Sequence, residues 1–209
     1  RAKLCQSTFY HFDLLLGYKH ASLDDMLRVD QSSDYFAARG PIAAGTNVTL
    51  FDRFETRNRF DGVVLGLERR HRWNCWLVGY TGKVSLGSNQ AEALIDGQTI
   101  TTVPGAGNAT FNGGLLAQQS NIGRRSRDEF IAIPEFTFTL RRQLNECTRL
   151  QCGYSLMYWS AVSRVDDTIS RRVSQFPPEP ISGSAEPSFL WNNSDFLAHG
   201  FQVGLDYRF

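Results

Sequence analysis

The stretch Phe201-Gln202-Val203-Gly204-Leu205-Asp206-Tyr207-Arg208-Phe209 puts an apolar side chain at every odd position and Gln, Gly, Asp or Arg between them. A period of two is the signature of a β-strand with one apolar and one polar face. Its nine residues match the length a tilted strand needs to cross a bilayer. In water, an edge strand of this kind would expose a hydrophobic ridge that soluble proteins usually cover or blunt with charge. Taken alone, the pattern fits the closing strand of a soluble, lipocalin-like barrel equally well.

The same alternation recurs upstream. Phe12, Leu14, Leu16 and Tyr18 share one face of a first strand over 8–30, and Val63, Leu65 and Leu67 one face of a second over 46–69. Trp76, Val78, Tyr80, Val84 and Leu86 mark a third. Phe130, Ala132, Phe136, Phe138 and Leu140 mark a fourth, where Pro134 predicts a bulge or a local edge. Leu150, Cys152, Tyr154, Leu156 and Tyr158 mark a fifth, extended outward over 161–174, and the terminal stretch is the sixth. Composition predicts loops at 31–45, 104–127 and 175–194, and Asp96-Gly97 predicts a type I′ hairpin over 91–103, standing outside the membrane.

Connections therefore alternate between short ones (69–72, 142–147) and long ones (31–45, 87–127, 161–195). Outer-membrane barrels segregate their loops in this way, with tight periplasmic turns and long extracellular loops. Trp73, Trp76, Tyr80, Tyr154, Tyr158, Trp159, Tyr207 and Phe209 gather at strand ends, where one side of the ring meets hydrocarbon and the other stays wet. Aromatics also favour any β core, so the second argument is weaker than the first. The fold predicted is mainly β: a single domain over 1–209, forming an antiparallel transmembrane β-barrel or the C-terminal part of one. Six strands fall short of the eight in the smallest bacterial barrels, so N-terminal strands are expected to be missing.

The charge balance, 22 basic against 21 acidic residues, argues against a nucleic-acid-binding surface. No run of 18 apolar residues offers a membrane helix, which leaves a barrel open because barrel strands hide half their residues from lipid.

Several blocks stand together as those of a known family do. They are Gly113-Gly114-Leu115-Leu116-Ala117-Gln118, Ser120-Asn121-Ile122-Gly123, Ser126-Arg127-Asp128 and Pro134-Glu135. Thr56-Arg57-Asn58, Phe60, Gly62, Leu65-Gly66, Lys83-Val84, Leu86-Gly87 and Ile95-Asp96-Gly97 precede them in the family's order. Gly153-Tyr154, Tyr158-Trp159-Ser160 and the ending from Asp195-Phe196 follow. Together these blocks resemble a β-barrel porin family of planctomycete-type bacteria; the resemblance covers most of the chain from about residue 50 and implies a bacterial outer-membrane location. It also implies a longer N-terminus, and a terminal strand (Phe201, Val203, Leu205, Tyr207, Phe209) that engages the outer-membrane insertion machinery.

Catalytic chemistry is hard to find. His11, His20, His71 and His199 lack a nucleophile in an elbow motif, and Gly105-Ala106-Gly107 lacks the lysine and helix of a phosphate loop. Asp24, Asp25, Asp30 and Asp34 lack the glycine and terminal glutamate of an EF-hand, and no cofactor or metal is expected. Arg124-Arg125-Ser126-Arg127-Asp128-Glu129 offers three cations and two anions at the end of the long loop. Folded inward, it would make a constriction with a transverse field; alternatively Arg127 and Asp128 pin the loop to the rim. Further lumen candidates are Lys83, Glu135, Arg141, Asp206 and Arg208, with Thr137, Thr139, Gln151, Ser155 and Gln202.

Cys5, Cys75, Cys147 and Cys152 map near the short-turn rim with three possible pairings; one straight strand would hold Cys147 and Cys152 too far apart to bridge. The expected function is a passive pore or structural surface barrel in contact with outer-membrane lipid, not with nucleic acid; a homo-oligomer or other surface partners stay open. A soluble lipocalin-like binding barrel and an outer-membrane enzyme are the competing classes.

Overall fold

The computed structural model of the chain describes residues 2–6, 10–40, 42–173 and 186–207. Nearly all of it is antiparallel β, in one eight-stranded sheet curled into a half-barrel. The strands are β1 (Ala2–Gln6), β2 (Tyr10–Tyr35), β3 (Thr46–Trp73), β4 (Trp76–Val103), β5 (Gly107–Asn112), β6 (Gly123–Gln143), β7 (Thr148–Val162) and β8 (Ser194–Tyr207). Their order is β1-β2-β3-β4-β6-β7-β8, with β5 pairing only to β4. A four-residue helix, α1 (Val165–Thr168), follows β7.

The two rims differ as the loop lengths predict. At one rim β3 reverses into β4 through Asn74 and Cys75 alone, and Asn74 takes φ 51, the left-handed value a two-residue hairpin needs. The β6–β7 turn there is closed by Asn145, whose side chain accepts the backbone N–H groups of Cys147 (3.0 Å) and Thr148 (2.6 Å). All long connections lie at the opposite rim.

Near the short turns the convex face is apolar across the sheet. Leu14 and Leu16 lie opposite Leu67 and Leu65, Leu65 opposite Val84, and Leu86 opposite Ala132. Phe138 lies opposite Tyr154, and Tyr154 opposite Phe201. These side chains are exposed although large: Leu16 is 72%, Leu67 55%, Phe130 78% and Phe201 72% accessible. From Val78 to Leu86 the band rises about 20 Å, taking ~3.3 Å per residue and a ~40° tilt, close to the ~25 Å of a barrel's lipid-facing belt. At its lower edge the Arg69 guanidinium lies over Phe12 and that of Arg142 over Trp76, at 5.2 and 5.0 Å from the ring centroids. The terminal ridge of Phe201, Val203, Leu205 and Tyr207 lies on this convex face, exposed as predicted; Arg208 and Phe209 lie outside the described residues.

The strands do not stop at the belt. β3 and β4 each run 28 residues, roughly 90 Å of extended backbone against the ~30 Å hydrocarbon core. Above the belt the apolar phase changes face. On β3 the outward residues are Val63, Leu65 and Leu67 below, but Arg57, Arg59 and Asp61 above; Phe54 and Phe60 turn inward. The register with β4 continues without a shift through this inversion, with Gly62 opposite Gly87 at the seam. A Cβ on Gly87 would come within 2.1 Å of the Asp61 carbonyl oxygen and 2.5 Å of the Gly62 Cα, so only glycine admits this close approach.

Three expectations are overturned here. Asp96-Gly97 is no turn: β4 passes straight through it, Asp96 opposite Arg53 and Gly97 opposite Asp52, and the reversal comes at 104–106, where Ala106 N–H bonds to Val103 C=O. Regions 31–35, 107–112 and 123–127, read as loop, are strand, because long partners pair their polar residues. Residues 163–172 do not extend β7 outward but fold back over the concave face. Pro134 makes no bulge with β4; it sits just beyond Glu135, where the β6–β7 ladder ends, so its missing N–H falls at a local edge.

Candidate functional site

Two segments cross the concave face above the belt, and buried polar side chains of β3 and β4 hold both. The first, 113–122, is clasped by Asp52, 2% exposed, whose carboxylate accepts the backbone N–H groups of Leu115 (3.1 Å), Leu116 (3.1 Å) and Ala117 (2.9 Å). Gly114 passes so close that a Cβ there would lie 2.2 Å from Asp52 Oδ1. Fully buried Asn121 closes the segment on itself, accepting Gln118 N–H at 2.8 Å and donating to Leu116 C=O at 3.0 Å. The second segment begins at Ala161, which adopts φ 56. Asn58 accepts Ser163 N–H at 2.8 Å and donates to Ser163 C=O at 2.9 Å, while Asn89 donates to Ala161 C=O at 3.1 Å.

Apolar contacts seal these straps. Phe54 and Ile95 from the wall meet Ala117 of the first strap and Val165 of the second. Lower down, Phe60, Ile131 and Ile133 pack with Trp159 and Val162, the Phe60 and Trp159 rings meeting edge-on at 6.3 Å. The long-loop half of this wall is thus filled on its concave side; Asp52, Asn58 and Asn121 find backbone partners there, while Thr56 Oγ1, Asn89 Oδ1 and Trp159 Nε1 are buried without a hydrogen-bond partner among the described residues.

Beneath the straps, at belt level, the concave face is charged. Lys19 of β2 pairs with Glu135 of β6 across the glycines of β3, and its Nζ lies 3.2 Å from Met157 Sδ. Lys83 Nζ lies 3.7 Å from the other Glu135 oxygen. Nearer the short turns Arg70 bonds Glu68 at 2.6 Å and Asp13 at 3.4 Å, and Arg141 donates to Gln151 at 2.8 Å. Charges on this face with leucines directly behind them are the arrangement of a wall between water and lipid.

Of the predicted candidates, Lys83, Glu135 and Arg141 do face the concavity, together with Thr137, Thr139 and Gln151. Asp206 faces the same side on β8, exposed at the sheet edge. The cluster 124–129 is not the tip of an inward loop. It lies in β6, so alternation splits it: Arg125, Arg127 and Glu129 turn inward, Arg124 and Asp128 outward. Arg124 approaches Glu92 at 3.4 Å on the convex side. Arg127 pairs with Glu129 at 3.1 Å rather than with Asp128, bonds Asn193 and lies over Trp191, while Arg125 lies 4.1 Å from the Phe189 ring centroid. Inward members therefore hold the segment leading into β8, a different segment and different partners from the Arg127–Asp128 pinning that the sequence suggests.

Asp24, Asp25 and Asp30 go to Arg57, Arg164 and Arg28, and Asp34 to Asn47. Cys75 and Cys147 are exposed free thiols in the two short turns, and Cys152 is free on the convex side of β7; the side chain of Cys5 lies outside those described. Asp52, Asn58 and Asn89 were missed from sequence because an inward polar residue on a strand reads as pore lining. Glycine pairs at the close approaches (Gly113-Gly114, Gly97) were the available signal.

No curated protein and no solved structure matches the chain at a significant level. One family does: the model of putative beta barrel porin-7 (BBP7) matches residues 1–209, the whole chain. With the belt, the segregated rims and the charged concave wall already in place, the chain belongs to that beta barrel porin family.

Proposed function

We propose that this chain forms wall of a bacterial outer-membrane barrel that passes small hydrophilic solutes passively and carries out no catalysis. The observation that supports it is the two-faced sheet: Leu14, Leu65, Val84 and Phe136 on the convex side, and Lys19, Lys83, Glu135 and Arg70 on the concave side of the same strands. A soluble ligand carrier would need the reverse, an apolar interior and a polar exterior. Lipid is the partner of the belt, and the exposed ridge of β8 is the element offered to the insertion machinery.

Closure needs more wall. β1 and β8 each have one edge unpaired among the described residues, and both run antiparallel to strands that point away from the short-turn rim. Joined directly they would be parallel, so an all-antiparallel wall takes an odd number of further strands between them; a second copy in the same orientation would not serve, because its β1 would run parallel to β8.

The straps favour a second reading, a plugged surface barrel, because they fill the long-loop half of this wall. Planar-bilayer recording of the detergent-extracted protein separates the two. Stepwise conductance is expected; a folded protein that inserts without conductance would leave only the structural role. Arg124→Glu should not alter ion preference, since Arg124 faces outward, whereas Glu135→Gln should shift it toward anions.

A further inference from the structure

At the short-turn end of the concave face three arginines converge, none of them in an ion pair with a carboxylate among the described residues. Arg72 of β3, Arg141 of β6 and Arg149 of β7 line a hollow of about 270 Å³, together with Asn74, Leu77 and Gln143. Their strand positions put all three on the inner side: Arg72 lies opposite Leu77, Leu77 opposite Arg141, and Gln143 opposite Arg149. Arg141 is oriented by its Nε, which donates to Gln151 Oε1 at 2.8 Å, and Arg149 by its Nε, which donates to Gln143 Oε1 at 3.0 Å. Neutral amides hold both, so their charge is not spent. No Asp or Glu lines the hollow; Asp206 stands opposite Arg149 on β8 and Glu68 shares the adjoining hollow with Arg141, but among the described residues none of the three arginines forms an ion pair with a carboxylate. Arg70, one turnless step along the same strand, is by contrast committed to Glu68 and Asp13.

We infer that this hollow is an oxyanion site that takes a phosphate group at the short-turn mouth of the barrel. Planar guanidinium forks present paired N–H donors that match phosphate oxygens, and three within one hollow place net positive charge where a solute enters or leaves. The volume holds a phosphate and several waters. The role as a solute-selecting step rests on the pore reading; binding itself does not. The group can arrive as free phosphate or on a phospholipid headgroup at the rim.

The test uses the intact protein in a neutral, phosphate-free detergent at low salt. Titration with inorganic phosphate, followed by calorimetry and ³¹P linewidth, should show saturable binding. The triple variant Arg72→Gln, Arg141→Gln, Arg149→Gln should bind at least about tenfold more weakly, given the strength of charge-assisted bonds, while the triple lysine variant should recover part of it. Heat-modifiable gel mobility confirms that each variant is folded. Phosphate binding that is the same in wild type and in the glutamine variant overturns the site, as does its absence from the wild type both in detergent and in phosphatidylcholine nanodiscs. Competition seen in phosphatidylglycerol but not phosphatidylcholine nanodiscs assigns the headgroup as source; equal binding in both assigns free phosphate. Conductance without phosphate binding sinks the site alone, and binding without conductance sinks the pore reading alone.

Discussion

The lower and upper halves of β3 and β4 are built from the same uninterrupted ladder, yet they are opposites. Below the Gly62–Gly87 seam, apolar residues face out and charges face in; above it, charges face out and Phe54, Phe60 and Ile95 face in. Strand geometry is identical in both, so the difference lies in what each face meets. On the proposed reading, hydrocarbon covers the outside below and water above; the straps supply the apolar contact inside. The strand itself does not break, and on that reading a change of solvent moves the hydrophobic phase by one residue.

That contrast can be broken most directly at its seam. Gly87→Val drives a side chain into the Asp61 and Gly62 backbone, and the cost should be about 3 kcal/mol or more, at the upper end of overpacking. Loss of the heat-modifiable band checks it; a folded Gly87→Val protein would show that the ladder can spread there.

Next in size is the upper half alone. Asp52→Ala strands three backbone donors, and should cost on the order of 3 kcal/mol locally. Hydrogen exchange should accelerate at 115–117 while the belt strands keep their protection. Uniform acceleration would mean that the strap and the wall are one cooperative unit.

Paired substitutions on the convex face compare the halves in their own terms. Leu65→Arg, in the belt, should destabilise by about 2–4 kcal/mol at mid-membrane depth, and Arg59→Leu, above it, by under about 1 kcal/mol. Urea unfolding in lipid vesicles measures both. Similar costs at the two positions would remove the lipid from one of them.

The smallest effect lies far above the belt. The Arg28 fork holds the Asp30 carboxyl below its ordinary value of 3.8, so that pair contributes above this value and is lost as pH falls through the lowered one. Both groups are solvated, so the effect on stability should be slight and screened by salt. A carboxyl titration by NMR, with Arg28→Gln restoring the ordinary value, checks the direction.

Much of this was legible in advance. The outward ridges of all six predicted strands, the rim asymmetry and the inward Lys83, Glu135 and Arg141 followed from alternation alone. The misreadings cluster above the seam. Asp96-Gly97 has the composition of a hairpin, but β3 offers Arg53 and Asp52 as partners, and a long ladder outweighs local turn preference. Arg124 to Glu129 looked like one charged loop because adjacency in sequence was taken for adjacency in space; on a strand, neighbours face opposite ways.

The sequence by itself determined where the belt strands lie and which side of each is apolar, because a face that meets one kind of surrounding along its length leaves a period of two in the letters. Only the tertiary structure decided which inward polar residues line the wall and which are clasps. Asp52, Asn58 and Asn89 bond to backbone that lies 35 to 105 positions away, and those partners carry no side-chain signal for the alternation to reveal.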